Sequence, residues 1–113
     1  MSSALVFGQA AEFSFSKKNL KLPKTPEGEA VYFEYPFTNK GDLPLVINEI
    51  KVACPCTQSK YPMQPIKPNE EGSINVSFDT KGKIGYQDRI LEVHSNAEGS
   101  PHKLRFRVMV DNK

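Results

Sequence analysis

Residues 72–79, "GSINVSFD", decide how this chain folds. Ile74, Val76 and Phe78 alternate strictly with Ser73, Asn75, Ser77 and Asp79. A period of two places the apolar side chains on one face of a β-strand and the polar ones on the other. Residues 102–110, "HKLRFRVMV", repeat the pattern, with Leu104, Phe106, Val108 and Val110 set against Lys103, Arg105 and Arg107. In residues 30–37, "AVYFEYPF", Val31, Phe33, Tyr35 and Phe37 share a face. Strands with one wet face each belong to antiparallel sheets.

Outward from these segments, "PLVINEIKVAC" (44–54) and "YQDRILEVHS" (86–95) are rich in β-branched residues and read as strands. "EFSFS" (12–16) reads as a short first strand, with Phe13 and Phe15 on one side. Turn-forming stretches separate them: "PKTPEGE", "TNKGDLP", "IKPNEEG", "TKGKIG" and "NAEGSP". No segment keeps a helical period for three turns. This spacing predicts an all-β fold, an immunoglobulin-like antiparallel β-sandwich of about seven strands, with a small closed barrel as the alternative. Pro36, inside a clean strand, predicts an edge position or a bulge. The prolines at 62, 65 and 68 predict an extended crossover between the two sheets.

The totals narrow the function classes. A chain of 113 residues is one domain and buries about 65% of its unfolded surface, enough for a core without staples. Fifteen basic residues against 13 acidic ones give a net charge of +2. The basic residues are spread along the chain, with Lys17-Lys18 the one doublet, which argues against a nucleic-acid partner. No apolar run approaches the roughly 20 residues needed to cross a bilayer. Residues 1–10, "MSSALVFGQA", carry no charged side chain and run from apolar to small. They read as the tail of a signal peptide, with Gly8 and Ala10 at the positions a peptidase recognises and Ala11 as the first mature residue. A disordered N-terminus or a first strand is the alternative. On this reading residues 11–113 form one exported domain.

Both cysteines lie in "VACPCT" (52–57). The inter-sheet disulfide of immunoglobulin domains needs cysteines on different strands, and two residues of separation exclude it. On an extended strand the two Cα atoms would lie about 6.6 Å apart, near the outer limit for a bridge. Pro55 also favours an extended Cys54. The expectation is therefore two unbonded sulfurs pointing the same way and packing as small apolar groups at a strand end. A local disulfide or redox pair, a soft-metal site using Cys54 and Cys56, and an intermolecular bridge stay open. Structural zinc takes four ligands, and neither His94 nor His102 is spaced to the cysteines in a known motif. There is no nucleophile elbow and no phosphate-cradling glycine loop, and Glu70-Glu71 reads as a solvated turn. No catalytic residue and no cofactor is expected.

Taken together, "FTNKGDLPLVINEIKVACPCT" and "PIKPNEEGSINVSFDTKGKIGYQDRILEVHSNA" resemble the bacterial family known as domain of unknown function 1573. The resemblance is carried by Thr38-Asn39, Gly41, Pro44-Leu45, Cys54 through Thr57, Pro65-Ile66 with Pro68, Lys81-Gly82, Gly85 and Ser95-Asn96-Ala97. Pro55 and Asn69 stand where that family usually has glycine. It implies an exported immunoglobulin-like sandwich related to Hydin-type domains, and brings no catalytic residues with it. The expected function is a non-enzymatic protein-binding or structural module of the bacterial envelope. Its partner would be another envelope protein, held by edge-strand pairing or an exposed loop. The alternative is a thiol-redox or soft-metal protein centred on Cys54-Pro55-Cys56.

Overall fold

The computed structural model describes residues 9–112, so residues 1–8 of the expected signal-peptide tail lie outside the described part. The strands are β1 (Phe13–Phe15), β2 (Asn19–Lys21), β3 (Thr25–Pro26), β4 (Ala30–Asn39), β5 (Ile47–Val52), β6 (Thr57–Lys60), β7 (Glu71–Asp79), β8 (Gly85–Ser95) and β9 (His102–Asp111). They form two sheets, ordered β1-β4-β7-β6 and β2-β9-β8-β5, with β3 continuing alongside β9. Because β1, β2 and β3 are pieces of one strand that changes sheets, this is a seven-strand immunoglobulin-like topology. The first strand joins β4 antiparallel through β1, then runs parallel to β9 through β2 and β3.

The alternating segments bury the faces their sequences indicate. Ile74, Val76 and Phe78 meet Leu104, Phe106, Val108 and Val110 across the sandwich, none more than 3% exposed. The Phe106 ring lies 4.7 Å from Phe33 and 5.2 Å edge-on from Phe78. Tyr35 is fully buried and donates its hydroxyl to the Arg105 carbonyl at 2.8 Å, tying β4 to the opposite sheet. Burial raises its pKa far above the usual phenol value.

Three expectations need correction. Pro36 sits in β4, which has neighbours on both sides, so the predicted edge is only local. β1 ends at Phe15 opposite Phe37, and the Ser16 amide makes its hydrogen bond to the Pro36 carbonyl. The missing proline N–H thus falls where the first strand leaves the sheet. Second, residues 61–70 do not cross between sheets, because β6 and β7 are antiparallel neighbours in the same sheet. The crossing from β5 to β6 is made by residues 53–56 instead. Third, β5 ends at Val52, two residues before the cysteines.

One end of the sandwich, called lower here, is closed by two asparagines. Asn39 has no exposed surface, and its Oδ1 accepts the Glu12 amide at 3.1 Å and the Gly41 amide at 2.9 Å. Its Nδ2 donates to the carbonyls of Leu43 at 2.8 Å and Ile66 at 2.9 Å. All four hydrogen-bonding positions of the amide are filled. Asn96 clamps the same loop from the other sheet, donating to the Pro44 carbonyl at 3.0 Å and accepting the Val46 amide at 2.8 Å. Gly41 lies so close to the first segment that a Cβ there would overlap the Ala10 carbonyl and come within 2.7 Å of the Glu12 nitrogen. Asn69, with φ of 70°, takes the left-handed conformation that asparagine tolerates.

Asn39→Ala should destabilise the fold by about 3 kcal/mol or more, because it strands several backbone groups in one buried place. Urea unfolding followed by circular dichroism checks this, and a loss below about 1 kcal/mol contradicts it. His102 gives a second expectation. Its ring packs edge-on against Phe13 at 5.1 Å, and its buried Nδ1 has no hydrogen-bond partner among the described residues. Desolvation, then the charge of Lys18, holds the imidazole pKa below its ordinary value. The unfolded chain therefore binds the proton more readily, and this contribution, complete above about pH 6.5, is lost as pH falls through the lower folded value. His102→Phe should flatten the decline in urea midpoint between about pH 7 and pH 5 relative to wild type. An unchanged decline speaks against His102 as its source.

Candidate functional site

Cys54-Pro55-Cys56 forms the turn that carries the chain from β5 in one sheet to β6 in the other. The Thr57 amide donates to the Cys54 carbonyl at 3.0 Å, closing a four-residue turn with Pro55 at its second position. Proline's fixed φ suits that place. Cys56 does not adopt positive φ, so the turn is not of the type that calls for glycine at its third position. The Cys56 carbonyl then accepts the Asp79 amide at 2.9 Å, anchoring the turn to the end of β7.

This geometry overturns the expectation of unbonded sulfurs. The two Cα atoms are 5.2 Å apart, inside the disulfide range, and the sulfurs are bonded to each other. The first residue of such a turn can be extended, so the bias that Pro55 places on Cys54 does not oppose the bridge. The curl is made by Pro55 and Cys56, after the residue that proline restricts. With both sulfurs in one bridge, neither is a thiolate available to a metal, and the soft-metal alternative at Cys54 and Cys56 loses its ligands. Among the described residues no group of three or more His, Cys, Asp or Glu side chains gathers into a metal-like cluster.

A cleft of about 250 Å³ opens beside the bridge, lined by Val52, Ala53, Cys54, Thr57, Arg89 and Ile90, with Asp88 at its edge. The Arg89 guanidinium lies 5.6 Å from the centre of the Phe78 ring and donates to the Gln87 side-chain oxygen at 2.7 Å. His94 pairs with Glu92 at 2.9 Å on the outer face, in the parity its strand predicts, and His102 opens β9. Both lie towards the lower end, away from the cysteine turn, so the structure assembles no Cys-His pair. Glu70 and Glu71 are exposed, and the Glu70 carboxylate accepts the Lys67 amide at 3.0 Å within its turn.

The residues that carry the family resemblance in the sequence are occupied in holding the sandwich together. Asn39, Gly41 and Asn96 close the lower end, and Leu45 and Ile66 form a buried bridge between loops. Gly82 and Gly85 adopt positive φ in the turn from β7 to β8. Sequence reasoning passed over a different set. Ile84, Tyr86 and Met109 are 57%, 55% and 41% exposed, and Tyr86 stands opposite Met109 in the β8–β9 register. Their signal was present, since Met109 is an apolar residue at an outward position of "HKLRFRVMV". The other outward residues of that sheet are largely charged: Asp88 receives two bonds from Arg105, at 2.7 and 2.6 Å, with Arg107 3.7 Å away. The Arg105 hydrogen bond holds the Asp88 carboxyl below the usual carboxylate range.

Thiol titration of protein purified without reductant should find no free thiol, and after reduction both. Replacing Cys54 and Cys56 together by alanine should cost on the order of 1 kcal/mol and leave the fold intact, because so small a loop adds little chain entropy. Free thiols before reduction, or loss of the fold in the double variant, would contradict this.

No curated protein sequence matches the chain. Among solved structures, a protein of unknown function from Porphyromonas gingivalis superposes with a TM-score of 0.80 at 14% identity, over 94% of this chain and 50% of that one. The VesB protease of Vibrio cholerae gives 0.67 at 15% identity, over 89% of this chain and 32% of the protease. A PapD-like domain of human CEP192 gives 0.69 at 12% identity, with 100% and 93% covered. This chain thus spans half of the first protein and about a third of the second, and at such identities the likeness is one of fold. A family model, described as a protein of unknown function (DUF1573), matches residues 13–110, nearly the whole described sandwich. The chain therefore belongs to that family, as an immunoglobulin-like domain.

Proposed function

We propose that this domain is a non-enzymatic, exported module of the bacterial envelope that binds another protein. The observation that carries the reading is the exposed pair Tyr86 and Met109, opposite each other on β8 and β9, with Ile84 just before β8 and Ile90 further along it, on a sheet face whose other outward residues are largely charged. Aromatic residues and methionine are enriched at protein interfaces, while a face meant only for water has little use for them. Docking through a face suits this sandwich better than docking through an edge. β1 and β6 have three and four residues, the β2–β3 edge is broken into pieces, and β5 carries a bulge between Ile47 and Glu49. Short, interrupted edges discourage strand addition.

The non-enzymatic part is supported by the residues of the family string, which serve hydrogen-bonding and packing roles. Export is supported by the apolar-to-small N-terminal run and by the disulfide, which persists in oxidising compartments. Fractionation with photo-crosslinking from position 86 tests the whole reading. The chain should travel with the envelope fraction and give a discrete protein adduct, which Met109→Glu weakens strongly while the circular dichroism spectrum stays unchanged. Cytosolic fractionation would defeat the export claim, and absence of an adduct the binding claim.

A further inference from the structure

The second outer face, that of the β1-β4-β7-β6 sheet, is built differently. Tyr32, Ser77 and Gln58 stand side by side across β4, β7 and β6, and Glu34, Asn75 and Lys60 form the next row. Small residues on the central strand lie between long ones on its neighbours, so the face sinks into an open trough of about 630 Å³ along β7. With strands about 4.8 Å apart and rows about 7 Å apart, the grid measures about 10 by 7 Å, room for about two sugar rings. Tyr32 stands at its corner, 78% exposed. Among the described residues Glu34 accepts a hydrogen bond from Ser73 at 2.7 Å, while the side chains of the other five grid residues make none.

We infer that this trough binds an uncharged oligosaccharide. Its charge complementarity points there: one carboxylate and one ammonium cancel, leaving hydroxyl and amide groups in the majority. A sugar hydroxyl is donor and acceptor at once, and the amides of Asn75 and Gln58 each offer both functions. Glu34 adds acceptors and Lys60 donors. The exposed Tyr32 ring supplies an apolar face for the C–H side of a pyranose, with a hydroxyl at its tip. A binding site with one hydrophobic platform and several placed polar groups has the general make-up of small-ligand sites. A nucleic acid would require more cations than the single Lys60. A protein interface would require an apolar centre, where this trough has Ser77 and Asn75. The opposite face makes the contrast plain, because its Asp88, Arg105 and Arg107 already satisfy one another. The inference concerns a different sheet from the Tyr86 group and stands apart from the protein-binding proposal.

The test is titration of the isotopically labelled whole chain with uncharged β-glucan, mannan and chitin-type hexasaccharides, and with polygalacturonate as an anionic comparison. At least one uncharged hexasaccharide should shift the backbone amide resonances of Tyr32, Gln58, Asn75 and Ser77. Tyr32→Ala should weaken that binding about tenfold, and Gln58→Ala with Asn75→Ala by a similar factor. These positions are exposed, so the variants should keep the wild-type spectrum elsewhere. Absence of shifts with every uncharged hexasaccharide, undiminished binding by Tyr32→Ala, or tighter binding of polygalacturonate would each overturn the inference.

Discussion

The buried amide of Asn39 is the constraint on which the lower half of the sandwich depends. Two oxygen-bound N–H groups and two carbonyls come from three separate segments: residue 12, the loop at 41–43, and residue 66. None of these segments is regular secondary structure at the point of contact, so their backbone groups need side-chain partners when water is excluded. Once they are held, Ala11 reaches Ala97 and Leu45 reaches Ile66 as bridges between loops, and all four side chains are buried. A fully satisfied polar centre of this kind fixes one arrangement, where an apolar one would accept several.

At the other end the organisation is looser. Thr80 is buried and its hydroxyl donates to the Glu29 carbonyl at 2.6 Å while accepting the Gly28 amide at 2.9 Å, which pins the turn into β4. Beyond that the end is left to glycine turns and the cysteine bridge. Val31 and Phe33 are only half-buried there, because β1 has already left and β4 has a neighbour on one side alone. The sandwich thus has one end fixed by asparagines and one end shaped by turns, with two outer faces of unlike chemistry between them.

The parts of the fold legible in the sequence are those where one face is wet. In β7 and β9 the inward residues are apolar, His102 excepted, and almost every outward one is polar, so period and burial agree. What stayed hidden had no such contrast. β6 reads "TQSK" and earns its place as a strand through pairing with β7, not through its own pattern. β2 and β3 are three and two residues long, and their parallel pairing with β9 is a tertiary fact that no local signal carries. The cysteine bridge was misjudged because the strand was extended two residues too far. Proline's influence was applied to the residue before it, when the bend lay at and after the proline. The candidate surfaces were partly legible: Tyr32 and Met109 occupy outward positions, but which outward residues become neighbours depends on the register between strands far apart in the chain.

The change of sheet by the first strand has a mechanical consequence. β2 and β3 run parallel to β9, so the described chain enters near the lower end and leaves at the upper one. Tension applied between those ends would pull the first and last strands past each other along their length. The hydrogen bonds joining them, from Leu22 to Arg107 and from Glu27 to Asp111 among others, would then be loaded together in shear and not opened one after another. A domain strung between two anchored neighbours would resist stretching through that seam.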